Sequence, residues 1–206
     1  MTKLYLTRHG QTEWNLEARF QGHMGSPLTE KGINDAKNLS DRLEGVEFQA
    51  IYSSPQKRAY DTAEIIKGNK DIEIITDDRL KEMNFGDWEG IKGEEIKKKH
   101  FKMFDNLWND PVEYRPKSGE SYQDVYDRVI PVIEEIKSKY DGKVLIVAHG
   151  IVLAIIMMYV EGRTIDELWK EQVLPNTSLT IVEAENDKFD IKLYGDTSHF
   201  GEVKKK

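Results

Sequence analysis

The chain has 206 residues, 38% hydrophobic and 33% charged, which suits one soluble domain large enough to bury a core. A formal net charge of −7 argues against the basic face of a nucleic-acid binder, although a local arginine cluster can still hold a small anion. The absence of cysteine excludes disulfides, thiolate nucleophiles and cysteine-ligated zinc.

In chain order, Leu4-Tyr5-Leu6-Thr7 reads as a short buried strand running straight into Arg8-His9-Gly10. That charged pair comes too early for a signal peptide, so a cytoplasmic location is expected. Thr29 is placed to cap a helix whose apolar Ile33, Ala36, Leu39 and Leu43 recur at roughly helical spacing. Ala50 to Ser54 forms a second strand ended by Pro55, and a helix from Arg58 to Lys67 follows. Ile72 to Ile75 alternates as a third strand. The stretch 85–119, rich in Lys, Glu and aromatics, breaks the rhythm and reads as a helical insertion. Ser121 starts a long helix with Tyr122, Val125, Val129, Val132, Ile133 and Ile136 on one side, and Pro131 is expected to bend it.

Lys143 to Ala148 is apolar after its lysine, as a central parallel strand should be. It leads through His149-Gly150 into the apolar run Ile151 to Val160, far short of the roughly 20 residues that cross a membrane. Leu179 to Val182 and Phe189 to Leu193 form a closing hairpin around Glu185-Asn186-Asp187, and the tail Lys204-Lys205-Lys206 is expected to fray. Alternating strands and helices predict an α/β fold. The expected form is a three-layer sandwich within one domain, 1–206, with a mainly parallel central sheet, helices on both faces and a helical lid insertion at about 85–119.

Three strand ends carry the chemistry. Arg8-His9 leaves the first strand, Arg58 lies in the first helical turn after the second, and His149-Gly150 leaves the central one. Ligands of open α/β sheets bind at that edge. An arginine fork suits phosphate, helix N-termini favour anions, and an imidazole nitrogen can attack phosphorus. Each residue alone reads more simply as a surface charge or a structural histidine; three coincidences at one edge do not.

The motifs Leu6-x-Arg8-His9-Gly10-x-Thr12-x-x-Asn15, Leu28-Thr29-x-x-Gly32, Ser53-Ser54-Pro55-x-x-Arg58, Glu82 with Gly86-x-Trp88-Glu89-Gly90, and Val147-x-His149-Gly150 occur in order. Together they resemble the histidine phosphatase superfamily, the phosphoglycerate mutase-like proteins, and its small bacterial broad-specificity phosphatases in particular. The resemblance spans essentially the whole chain, with Asp35 standing where glutamine is frequent. It implies His9 as phosphorylated nucleophile, Glu82 as proton donor, and Arg8, Arg58 and His149 as the phosphate pocket, with Asn15, Gln21, Gly22 and Gly150 nearby. In that scheme a protonated His149 joins the arginines in balancing the phosphate dianion. Glu82 then donates to the leaving alkoxide and later activates water.

No histidine pairs with another histidine or an aspartate at a metal-ligand spacing, so neither metal nor cofactor is expected. The expected partner is a small phosphorylated metabolite, not a nucleic acid or a membrane. The sequence leaves the oligomeric state open. His100 and the Lys97-Lys98-Lys99 run read as solvated, while His23, Trp88, Phe104 and Trp108 are candidates for substrate contact. The family divides into phosphatases and mutases. The short interval from Glu82 to His149 and the lack of an Arg-Arg pair favour a phosphatase, with Arg115 and Lys117 left as the cations for a mutase's carboxylate clamp.

Overall fold

The computed structural model describes residues 1–186 and 188–200; Asp187 of the expected turn and the tail Lys204-Lys205-Lys206 lie outside the described residues. The sheet has strand order β3-β2-β4-β1-β5-β6. Strands β1 (Thr2–Arg8), β2 (Ala50–Ser53), β3 (Ile74–Thr76) and β4 (Lys143–Ala148) run parallel, β4 lying between β1 and β2. The hairpin of β5 (Leu179–Glu185) and β6 (Lys188–Asp196) adds to β1 antiparallel. The expected third strand is shorter than its alternating pattern, because only Ile74 to Thr76 find partners on β2.

Every residue of β4 from Val144 to Ala148 is buried, which explains its unbroken apolar run. Its side chains alternate between two cores. Val144, Ile146 and Ala148 pack with Leu4 and Leu6 in one, and Leu145 and Val147 with Tyr5 and Ile51 in the other. The first core is covered by α6 (Tyr122–Lys139) and α7 (Gly150–Val160). The second is covered by α2 (Glu30–Arg42) and α3 (Lys57–Lys67), giving the sandwich read from the sequence.

Local chemistry sets the helix ends. Thr29 Oγ1 accepts from Gly32 N at 3.0 Å, and Ser121 with Asp124 closes a capping box ahead of α6. α6 remains helical on both sides of Pro131. α7 is buried on nearly every side, as its apolar composition requires. Each fully buried Ile or Val there contributes about 1.5–3 kcal/mol. Among the described residues no helix is long and apolar enough to cross a membrane.

The four-residue α1 (Glu13–Leu16) follows β1, and the insertion contains α4 (Gly93–Lys99) and α5 (Phe101–Asn109). Its inner aromatics belong to the core: Trp88 is buried and stacks obliquely on fully buried Tyr114, their ring centroids 6.1 Å apart. Lys97, Lys98, Lys99 and His100 are exposed, as the sequence suggests.

Candidate active site

The parallel strands end in register, and that brings the motif residues together. His9 N donates to Ala148 O at 3.0 Å and Ser54 N to Val147 O at 3.1 Å, tying the ends of β1, β4 and β2 to one another. His149 then caps α7, and its ring lies 5.2 Å from that of His9, centroid to centroid. Arg58 enters from the first turn of α3. These groups meet at a cavity of about 240 Å³. Its lining contains Arg8, His9, Asn15, Gln21, Gly22, Arg58, Glu82 and Gly150, eight of the nine residues singled out from the sequence; His149 stands directly behind His9.

The protonation of His9 follows from its neighbours. Nδ1 lies 2.8 Å from the Gly10 carbonyl, which only accepts, so Nδ1 carries the proton and Nε2 keeps its lone pair. Burial, then Arg58 and Arg8, push the ring's pKa well below its ordinary value, so it is neutral at pH 7. His149 is completely buried, and no described residue hydrogen-bonds either of its ring nitrogens. The protonated His149 of the sequence scheme belongs to the phosphate-bound state. In the free protein, burial and then the charge of Arg58 hold its pKa far below the usual imidazole range, which favours the neutral ring.

The arginines are pre-set for an anion. Arg58 Nη1 donates to Met24 O and Nη2 to Gly22 O, both at 2.8 Å, and burial brings its pKa down to about 10, still cationic at neutral pH. Arg8 Nη1 donates to Leu174 O at 3.0 Å. The buried Nε of each arginine has no partner among the described residues. Such unmatched buried charge is costly, and a phosphate dianion would relieve it. Glu82 offsets part of that burial at both arginines, and its Oε1 accepts from Met83 N at 2.9 Å.

A stability signature follows. Both histidines have depressed pKa values in the fold, so between those values and the unfolded value near 6.5 the unfolded chain binds more protons. Their contribution is therefore complete above about pH 6.5 and is lost as pH falls through the folded values. Calorimetry should show Tm falling below pH 6.5, and less steeply in a His9→Gln, His149→Gln double variant. Parallel slopes for both proteins would contradict this assignment.

Gln56, Asn176 and Thr62 support the site with no motif to announce them, and Glu89 of the Gly86-x-Trp88-Glu89-Gly90 motif supports it too. Gln56 donates to Gly22 O at 2.7 Å and accepts from Glu82 N at 2.8 Å, linking the two loops that flank the cavity. Asn176 donates to His9 O at 2.8 Å, and Thr62 Oγ1 accepts from Gly10 N at 2.9 Å. The Glu89 carboxylate accepts from the backbones of His23 and Met24 at 2.8 and 2.9 Å. It also leaves no room at Gly22, where φ is +52° and a Cβ would stand 2.2 Å from Glu89 Oε1.

Other expectations divide. Trp108 lines the cavity, whereas Trp88 and Phe104 do not, and His23 lines a neighbouring one. Arg115 and Lys117 line two further cavities and not this one. Among the described residues no group of three or more His, Asp or Glu side chains is placed to hold a metal ion.

A neutral imidazole beside two buried guanidiniums, on the carboxyl edge of a parallel sheet, is an arrangement suited to phosphoryl transfer. Residues 4–197 match the model of the histidine phosphatase superfamily (branch 1), and the chain belongs to that family. It is 32% identical over 203 residues to phosphoserine phosphatase 1 of Hydrogenobacter thermophilus, covering 98% of this chain and 96% of that one. It is also 32% identical to phosphoglycerate mutase-like protein 4 of Arabidopsis thaliana, covering 98% of this chain and 88% of that one. The solved structure of YhfR from Bacillus stearothermophilus superposes with a TM-score of 0.94 at 44% identity, covering 98% of this chain and all of that one. The chain is thus an enzyme of the phosphatase and mutase type.

Proposed function

We propose that the enzyme hydrolyses phosphomonoesters of small cytoplasmic metabolites through a phosphohistidine on His9, without a metal ion. The observation that carries this reading is the neutral His9 ring, its Nδ1 proton committed to Gly10 and its other nitrogen free beside Arg8 and Arg58. Nε2 attacks phosphorus and forms the N–P bond as the bond to the leaving oxygen breaks; Glu82 gives its proton to that oxygen. Water then attacks phosphorus while the Glu82 carboxylate takes a proton from it, and the N–P bond breaks to restore neutral His9. Arg8, Arg58 and a His149 that gains its proton alongside the dianion supply the positive charge that a metal supplies elsewhere. Asn15, Gln21, Gly22 and Gly150 shape the phosphate pocket.

Hydrolysis is favoured over mutase chemistry by what lies beyond the phosphate. A mutase must hold a carboxylate while its substrate reorients, yet Arg115 and Lys117 lie outside the cavity. The outer wall is instead Phe20, Phe85, Trp108, Ile151 and Val173, and its one further cation, Arg19, is already bonded to Glu17 and Gly90 O. With 3-phosphoglycerate, with or without 2,3-bisphosphoglycerate, inorganic phosphate should therefore be the product, and prolonged EDTA treatment should not abolish its release. Faster formation of 2-phosphoglycerate, accelerated by the bisphosphate, would establish the mutase reaction instead.

A further inference from the structure

Glu82 lies in an irregular segment between two single-turn helices, Asp78–Leu80 and Gly86–Trp88, where no strand or long helix fixes the backbone. A proton donor needs its carboxyl held to within a fraction of an ångström, so something else must hold that segment. The structure points to Arg128, on the face of α6 turned towards it. Arg128 Nη1 donates to Arg79 O at 2.6 Å and to Lys81 O at 2.7 Å, and Nη2 donates to Glu82 O at 3.2 Å. Nε and Nη2 take the Glu120 carboxylate in a fork, at 2.7 and 2.9 Å. All five N–H donors of the guanidinium are used.

Glu120 extends the clamp to the other side of Glu82. Its Oε2 also accepts from Asn84 N at 2.8 Å, and its own N–H donates to Asn84 O at 2.8 Å. The segment is therefore gripped at residues 79, 81, 82 and 84 by one ion pair. Gln56 completes the arrangement by accepting from Glu82 N at 2.8 Å. The pair is about four-fifths buried, the side chains being 18% and 21% exposed, so water competes weakly for it.

We propose that Arg128, paired with Glu120, is a positioning residue that sets the reach of the Glu82 carboxyl towards the leaving oxygen. This rests on the acid role of Glu82 proposed above. Arg128 lies outside the cavity and touches no pocket side chain; only its charge reaches the phosphate pocket, at His149, and a lysine keeps that charge. A lysine keeps the charge but offers three donors on a flexible stem and cannot reproduce the fork.

The test compares Arg128→Lys and Glu120→Gln with wild type on an alkyl phosphate, whose alkoxide needs a proton, and on p-nitrophenyl phosphate, whose phenolate needs far less. Loss of the clamp should lower kcat on the alkyl ester about 10- to 100-fold and on the aryl ester no more than about threefold. Inhibition by inorganic phosphate should be unchanged in Arg128→Lys, which keeps the charge. In a Glu82→Gln background Arg128→Lys should add almost nothing, since the two act as one unit. Equal losses on both esters in both variants, or none, would overturn the positioning role. If Glu82→Gln shows the leaving-group bias and neither clamp variant does, only this proposal falls; if Glu82→Gln itself shows no bias, the acid assignment falls with it.

Discussion

His9→Ala is expected to lower kcat on p-nitrophenyl phosphate by at least about 10⁴-fold, because it removes the group that forms the covalent bond. The pocket should survive the change. Among the described residues the His9 side chain bonds only to the carbonyl next to it, while its backbone bonds to Ala148 and Asn176 involve main-chain atoms that alanine retains. The variant should therefore still bind inorganic phosphate through Arg8, Arg58 and His149. Rapid quenching of wild type with labelled substrate should trap phosphate on His9 as a linkage labile in acid and stable in base. Label recovered on a serine, or substantial turnover by His9→Ala with phosphate binding intact, would remove His9 from the nucleophile's role.

The sheet and the site's first contacts were legible because both are local signals. β1 and β4 read as buried strands from uninterrupted apolar runs, and the residues after them are delivered by strand direction alone. β3 was overdrawn because the alternation of Ile72 to Ile75 says nothing about how far β2 extends beside it. The clamp of Arg128 on the Glu82 segment joins residues 46 to 49 positions apart, and Asn176 reaches His9 across 167. No periodicity encodes such contacts.

The lowered pKa of His149 in the free protein is hidden from the sequence for a different reason. Protonation depends on burial and on nearby guanidiniums, which appear only once the chain has folded. Arg115 and Lys117 teach the same lesson in reverse, since lying within the insertion did not bring them to the cavity. Aromatics at similar spacing also separated, Trp108 to the cavity wall and Trp88 to the core.

Arg58→Met tests how the pocket couples charge to nucleophilicity. In the proposed mechanism Arg58 acts twice: it donates to the phosphate, and its charge adds to burial, the larger cause, in holding both histidines below the usual imidazole pKa. Loss of one such donor costs about 10²–10³-fold in acyl-transfer sites, and a full guanidinium facing a dianion should cost at least that in kcat/KM. The second effect has a definite sign. A neighbouring cation disfavours imidazolium, so removing it lets His9 take up a proton at higher pH, and protonated His9 has no lone pair with which to attack. The acid limb of kcat/KM should therefore move to higher pH in Arg58→Met as well as lie lower at its maximum. Arg58→Lys separates the two effects. The ammonium keeps the charge and should hold the limb near its wild-type position, yet without the fork most of the rate loss should remain. An acid limb that stays in place in Arg58→Met would mean that burial alone keeps His9 neutral; recovery of full rate in Arg58→Lys would mean that charge, and not two-point contact, is what the site requires of residue 58.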